Sequence, residues 1–189
     1  MYPIDRHSQR LHLRELRPDD VDGMFAIYGD ARATEHMSFD PRTRQDVEGI
    51  DTRSIASAAA DPRQEYALAV ADTDNDDGRL IGFGRLALDP TNPGPAFGFA
   101  LNPDVWGNGY GTETVRLLLA CAFEHLELHR VWGPRSPHNT ASARTAPRRA
   151  HRGGLHPRTR PTRRPMERLH HPLHPGSRIR SHYLAMIGV

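Results

Sequence analysis

The spacing of apolar residues changes several times along the chain, and each change marks an element. From Arg10 to Leu16, Leu11 and Leu13 alternate with polar neighbours, which predicts a half-buried strand. Arg17-Pro18-Asp19-Asp20 reads as a turn with an acidic cap. Val21, Phe25 and Tyr28, with Met24 and Ile27, then recur at helical spacing to about Asp30. A weaker helical pattern covers Arg44 to Ala60 and stops at Asp61-Pro62. Tyr66–Ala71 is an apolar strand, Asp72–Gly78 an acidic hairpin turn, and Leu80–Leu88 a second strand with Gly82 and Gly84 inside it. Pro95–Leu101 is a third. Thr112–Leu126 returns to helical spacing, with Val115, Leu118, Leu119 and Ala122 on the buried face. Glu113 in its first turn suits the positive end of the helix dipole. Arg130–Gly133 reads as a strand, and Pro137-His138-Asn139-Thr140-Ala141-Ser142 opens one more helix. The order strand, helix, helix, three strands, helix, strand, helix predicts a mixed α/β fold.

Composition narrows the class. The 189 residues suit one domain, and the hydrophobic share of 37% lies above the disordered range. The single cysteine, Cys121, excludes a disulfide framework and a cysteine-based zinc site. It falls on the apolar face with Leu117 and Leu118, so it is expected in the core. A polar N-terminus and the lack of a long apolar run predict neither a signal peptide nor a membrane span, hence a soluble, cytoplasmic protein. The net charge of +2 averages two unlike segments. Residues 1–145 carry 15 Arg against 22 acids, or −7, whereas residues 146–189 carry 10 Arg against Glu167 alone, or +9.

One passage points to a chemistry. Trp106-Gly107-Asn108-Gly109-Tyr110-Gly111-Thr112 lies between a predicted strand and a predicted helix. Glycines let a backbone turn sharply and approach a ligand, and a helix start offers unpaired N–H groups with a positive dipole. Together they suit a phosphate or pyrophosphate. A P-loop is excluded, because it needs Gly-Lys-[Ser/Thr] and the chain has no lysine. A Rossmann fingerprint is excluded too, since Gly109-Tyr110-Gly111 continues Thr112-Glu113-Thr114 with no third glycine.

The loop resembles the coenzyme A loop of the GNAT acetyltransferases, [Gln/Arg]-x-x-Gly-x-[Gly/Ala], with Gly109 and Gly111 on its glycines. Trp106 stands where Gln or Arg is usual, and the run Gly-Asn-Gly-Tyr-Gly-Thr-Glu is similar to the RimJ/RimL-type branch. The opening strand, Arg-Pro-x-Asp and helix also resemble that family, as does Asn139-x-x-Ser142 at a helix start. The resemblance covers residues 8–145. It implies a GNAT-like mixed central sheet flanked by helices, and an acetyl-CoA-dependent N-acetyltransferase whose acceptor is a primary amine, either a protein N-terminus or a small amine. Gly107, Asn108, Gly109, Tyr110, Gly111 and Thr112 would hold the pyrophosphate. Asn139 would anchor the pantetheine arm, and Ser142 would protonate the leaving thiolate; alternatively both simply cap a helix. Glu35 and His36, after the first helix, would border the acceptor cleft or be ordinary surface residues. No general base stands out, because Phe97-Gly98-Phe99 before the loop offers no carboxylate; water would relay the proton. No metal is implied, and the molecule is expected as a monomer or homodimer.

After Thr145 the pattern of a folded domain stops. Residues 146–182 are rich in Arg, Pro and His, with almost no periodicity. Met166–Gly176 can be encoded so that loss of one base yields Trp-Arg-Asp-Ser-Ile-Thr-Pro-Ser-Ile-Leu, which resembles the last strand of the family. The same shift allows Gly-Phe-Thr at Gly154–His156 and Leu-Leu-Ala at Ala146–Arg148. Residues 146–189 are therefore read as an out-of-frame, disordered tail that leaves the C-terminal strands missing or replaced. Two other readings remain: a catalytically inactive acyl-CoA-binding remnant, and a basic-tailed nucleic-acid-binding protein. The tail has no aromatic besides Tyr183 for base stacking, which argues against an RNA module. His170, His171 and His174 have no acid or thiol beside them to complete a metal site.

Overall fold

The computed structural model describes residues 3–73, 78–88, 94–133, 136 and 138–145. The expectations for 146–189, and for part of the acidic turn after residue 73, lie outside the described residues.

Five antiparallel strands form one sheet in chain order: β1 (Asp5–His7), β2 (Leu11–Glu15), β3 (Glu65–Asp72), β4 (Leu80–Ala87) and β5 (Ala96–Leu101). Helices α1 (Val21–Tyr28), α2 (Ala31–Thr34) and α3 (Arg44–Ala58) lie between β2 and β3; α4 (Tyr110–Ala120) and α5 (Thr140–Thr145) follow β5. The mixed α/β expectation holds. Three of its details change. The short β1 and α2 carry too little apolar periodicity to be read in sequence. The apolar stripe of the long helix is α-helical only to Ala120. Beyond it Cys121–His125 widens into a π-turn closed by Leu126 N to Cys121 O at 3.0 Å. Arg130–Gly133 makes one parallel bridge, Ala96 to Trp132, rather than a strand.

The centre of the sheet, β3 and β4, is buried on both faces, which is why these strands read as nearly continuous apolar runs. One face packs Leu11, Leu13, Leu68, Val70 and Leu86 against Val115, Leu118, Cys121 and Ala122 of the α4 region. The other packs Ala67, Ala69 and Phe83 against Met24, Ile27, Tyr28 and Val47 of α1 and α3. Gly84 permits the close docking of α4: a Cβ there would stand 2.6 Å from Leu118 Cδ2. Asp20 acts differently from a simple acidic helix cap. It accepts from Arg17 N at 2.8 Å and from Nη1 and Nη2 of buried Arg14, at 2.7 and 2.8 Å.

Candidate active site

A 3₁₀ turn, Pro103–Val105, leaves β5 and delivers the chain to the glycine loop. Trp106 is half exposed, but its Nε1 donates to Leu101 O at 3.0 Å, which pins the loop to the end of the strand. Asn108 Nδ2 donates to Val105 O at 3.2 Å. Gly109 is the N-cap of α4 with φ +83°, in the left-handed region where a Cβ is strained. Its carbonyl takes the N–H groups of Thr112 and Glu113, at 3.1 and 3.3 Å. The main-chain N–H groups of Asn108, Gly109 and Gly111 have no acceptor among the described residues. This arrangement of donors at a helix start suits an anion.

The loop is braced from the opposite end of the chain. Glu113 receives Ser8 Oγ at 2.7 Å, Arg10 N at 3.0 Å and Arg10 Nη2 at 2.7 Å. Burial raises the pKa of this carboxyl, but the bonds from Ser8 and Arg10 outweigh it and leave the group below the ordinary range. Arg10 also donates to Asn108 O at 3.1 Å and lies 4.4 Å from the centre of the Tyr110 ring. Sequence reasoning missed Arg10. It stands in the turn just before β2, in ordinary amphipathic sequence, and only the fold brings it to the loop.

The second motif opens α5. Asn139 Oδ1 accepts from Ser142 N at 2.8 Å, so Asn139 caps α5. At the far end of α5, Thr145 packs beside Gly111; a Cβ on that glycine would be 3.0 Å from Thr145 Cγ2. Two carboxylates on the sheet are held in ion pairs: Glu15 with Arg63 at 2.8 Å and Glu65 with Arg85 at 2.6 Å. Tyr28, between Phe39 and Phe83, is buried, with no hydrogen-bond partner for its hydroxyl; burial pushes its pKa up and keeps it a neutral phenol.

Glu35 and His36 follow α2 directly. An open depression of about 430 Å³ lies there, lined among others by Thr34, Glu35, Met37 and Phe39, but not by His36. Arg32 in α2 reaches Asp104, in the turn before the glycine loop, at 3.2 Å, which ties the depression to the loop's side of the molecule.

Residues 10–148 match the family profile of the acetyltransferase (GNAT) domain. The chain belongs to the GNAT acetyltransferase family. This family uses acetyl-CoA, so the glycine loop stands in an acetyltransferase fold. An uncharacterized N-acetyltransferase of Bacillus licheniformis, p20, is 28% identical over 142 residues, covering 72% of this chain and 75% of p20. The solved structure of a GNAT-family acetyltransferase from Bacillus anthracis shares the fold, with a TM-score of 0.64 at 18% identity over 75% of this chain and 80% of that one. A spermidine N-acetyltransferase from Vibrio cholerae, solved with CoA and spermine, also shares it, with a TM-score of 0.55 at 19% identity over 66% of this chain and 70% of that one. Among the described residues, no helix is long and apolar enough to cross a membrane.

Proposed function

We propose that residues 8–145 transfer the acetyl group of acetyl-CoA to a primary amine, a protein N-terminus or a small amine, as a RimJ/RimL-type GNAT enzyme. The observation that carries this reading is the left-handed Gly109 at the mouth of α4, with the N–H groups of Asn108, Gly109 and Gly111 lacking acceptors among the described residues. Such donors fit the pyrophosphate of coenzyme A, and a branched side chain here would strain the turn and occupy the approach.

Acetyl-CoA supplies an activated acyl carbon, which an amine nitrogen attacks as the C–S bond breaks and the thiolate leaves. In this chain Gly107, Asn108, Gly109, Tyr110 and Gly111 would form the anion cradle. Thr112 would shape it, since its own N–H is held by Gly109. The amide of Asn139 would anchor the pantetheine arm, and the Ser142 hydroxyl would return a proton to the departing thiolate. Glu35, at the rim of the depression, would attract a cationic acceptor, with His36 beside it. With Glu15 and Glu65 held by arginines, the ammonium proton would leave through water.

We further read residues 146–189 as out of frame. The GNAT match ends at residue 148, close to the point where apolar periodicity stops. The test is to express the chain as written beside a chain restored to the shifted frame from codon 146, and to measure CoA release with N-terminal peptides and small polyamines. The restored chain should turn over and the written chain should not. Equal turnover would remove the frame reading. CoA binding without turnover in both would instead favour an inactive acyl-CoA-binding protein.

A further inference from the structure

We propose that Asp5, His7 and His12 form a site for one divalent transition-metal ion of the zinc type, on the outer hairpin of the sheet. The site depends on β1–β2 geometry and not on the acetyl-transfer reading.

The register places the ligands. His7 pairs directly with His12 across the antiparallel ladder, and Asp5 lies two residues before His7. Residues two apart on a strand share a face, and so does a cross-strand pair. All three side chains therefore project from one side of the hairpin. The two imidazoles stack, with ring centres 4.0 Å apart and planes inclined by 14°. Both turn Nε2 toward the same carboxylate oxygen: His12 at 2.8 Å and His7 at 3.2 Å from Asp5 Oδ1. One ligand atom from each residue lies within 4.8 Å of the other two. Zinc ligands at about 2.0–2.1 Å on a tetrahedron stand roughly 3.3 Å apart, so the separations are close to those required, and the two stacked rings must tilt out of parallel to aim both Nε2 lone pairs at one ion.

The chemistry agrees with the geometry. Two neutral imidazoles and one carboxylate are a donor set that divalent zinc, copper or nickel accepts, and three protein ligands leave a fourth position for water. The neighbouring cations do not compete for Asp5. Arg14, its cross-strand partner, is held by Asp20, and Arg6 by Glu124. The scaffold is also ordered before any ion arrives. Ser8 N donates to Leu11 O at 2.8 Å to close the hairpin, and Ser8 and Arg10 are fastened to Glu113. His12 is the more enclosed ligand at 21% exposure, whereas His7 and Asp5 are open to incoming ions at 60% and 66%. A bound ion would clamp β1, a three-residue strand paired on one side only, to the rest of the sheet.

Zinc chloride is the probe, applied to the full chain. Because the chain carries 12 histidines, the site is read by difference. Equilibrium dialysis should show one fewer tight equivalent of zinc in each of His7→Gln, His12→Gln and Asp5→Asn than in the parent, with affinity at this site reduced about tenfold or more. Hydrogen exchange gives the location: zinc should slow exchange across residues 3–15 in the parent and leave it unchanged in the variants. Urea melts without zinc should show that the exposed His7→Gln variant folds like the parent. Equal zinc equivalents in the parent and this variant, or exchange over 3–15 that zinc does not move, overturns the proposal.

Discussion

Arg10 and Glu113 meet across 103 residues of sequence, with Arg10 Nη2 2.7 Å from Glu113 Oε2, and they join the first hairpin to the helix that opens at the glycine loop. The contact is partly shielded and charge-assisted, and Ser8 and the Arg10 main chain share the same acceptor. Glu113→Ala would strip an acceptor from all of these donors. The expected cost is about 1–3 kcal/mol of stability, read from urea melts, together with weaker CoA binding as the start of α4 loosens. The pKa of Glu113 is lowered by folding, so its contribution is present above the unfolded carboxyl pKa and is lost as pH falls through the lower folded value. The variant should therefore have a shallower loss of stability in acid than the parent. Identical acid limbs would show that the contact is immaterial.

Substitution in the glycine loop should separate binding from folding. Gly109→Val forces a branched residue into φ +83°, at a cost of about 1–2 kcal/mol, while Gly111→Val crowds Thr145. Both should abolish CoA binding by calorimetry while circular dichroism remains that of the parent. Unchanged CoA affinity in both would remove the pyrophosphate assignment.

Asp51 is buried on α3, and its Oδ1 has no hydrogen-bond partner. Burial, reinforced by the charges of Asp20 and Asp19, pushes its carboxyl up to about 6. A raised carboxyl pKa means that the folded state holds the proton more tightly than the unfolded one. The penalty is absent below the ordinary carboxyl value of 3.8, grows as pH rises from there to about 6, and is complete above. Asp51→Asn should flatten that slope and raise stability at neutral pH by about 1–3 kcal/mol. A slope between pH 4 and 6 that survives the substitution would count against this account.

Cys121 is fully buried beneath α4, and burial pushes its thiol up to about 11. Reactivity requires an accessible thiolate, so the native protein should resist iodoacetamide and modify only as it unfolds. Stoichiometric labelling under native conditions, before any loss of structure, would contradict the packing described for this face.

Local order alone determined the main strands, the two longer helices and the glycine loop, because side-chain period and helix-start chemistry act over a few residues. Leu11 and Leu13 declared a strand, and Gly109 and Gly111 before Val115 and Leu118 declared a turn feeding a buried helix. The family followed from the same short run, which the GNAT match bears out. The proposed boundary near residue 145 also rests on local order, since apolar period ends and arginines gather there. Tertiary structure decided what meets across distance. Arg10 reaches Glu113, Arg14 is buried on Asp20, and Thr145 closes on Gly111. Asp5, His7 and His12 have uneven spacings that resemble no metal motif, yet the antiparallel register aligns them. Glu15 and Glu65, far apart from their partners in sequence, are paired with Arg63 and Arg85. Such pairings depend on strand register and helix docking. These are set by burial of the whole apolar surface, so no short stretch of sequence carries them.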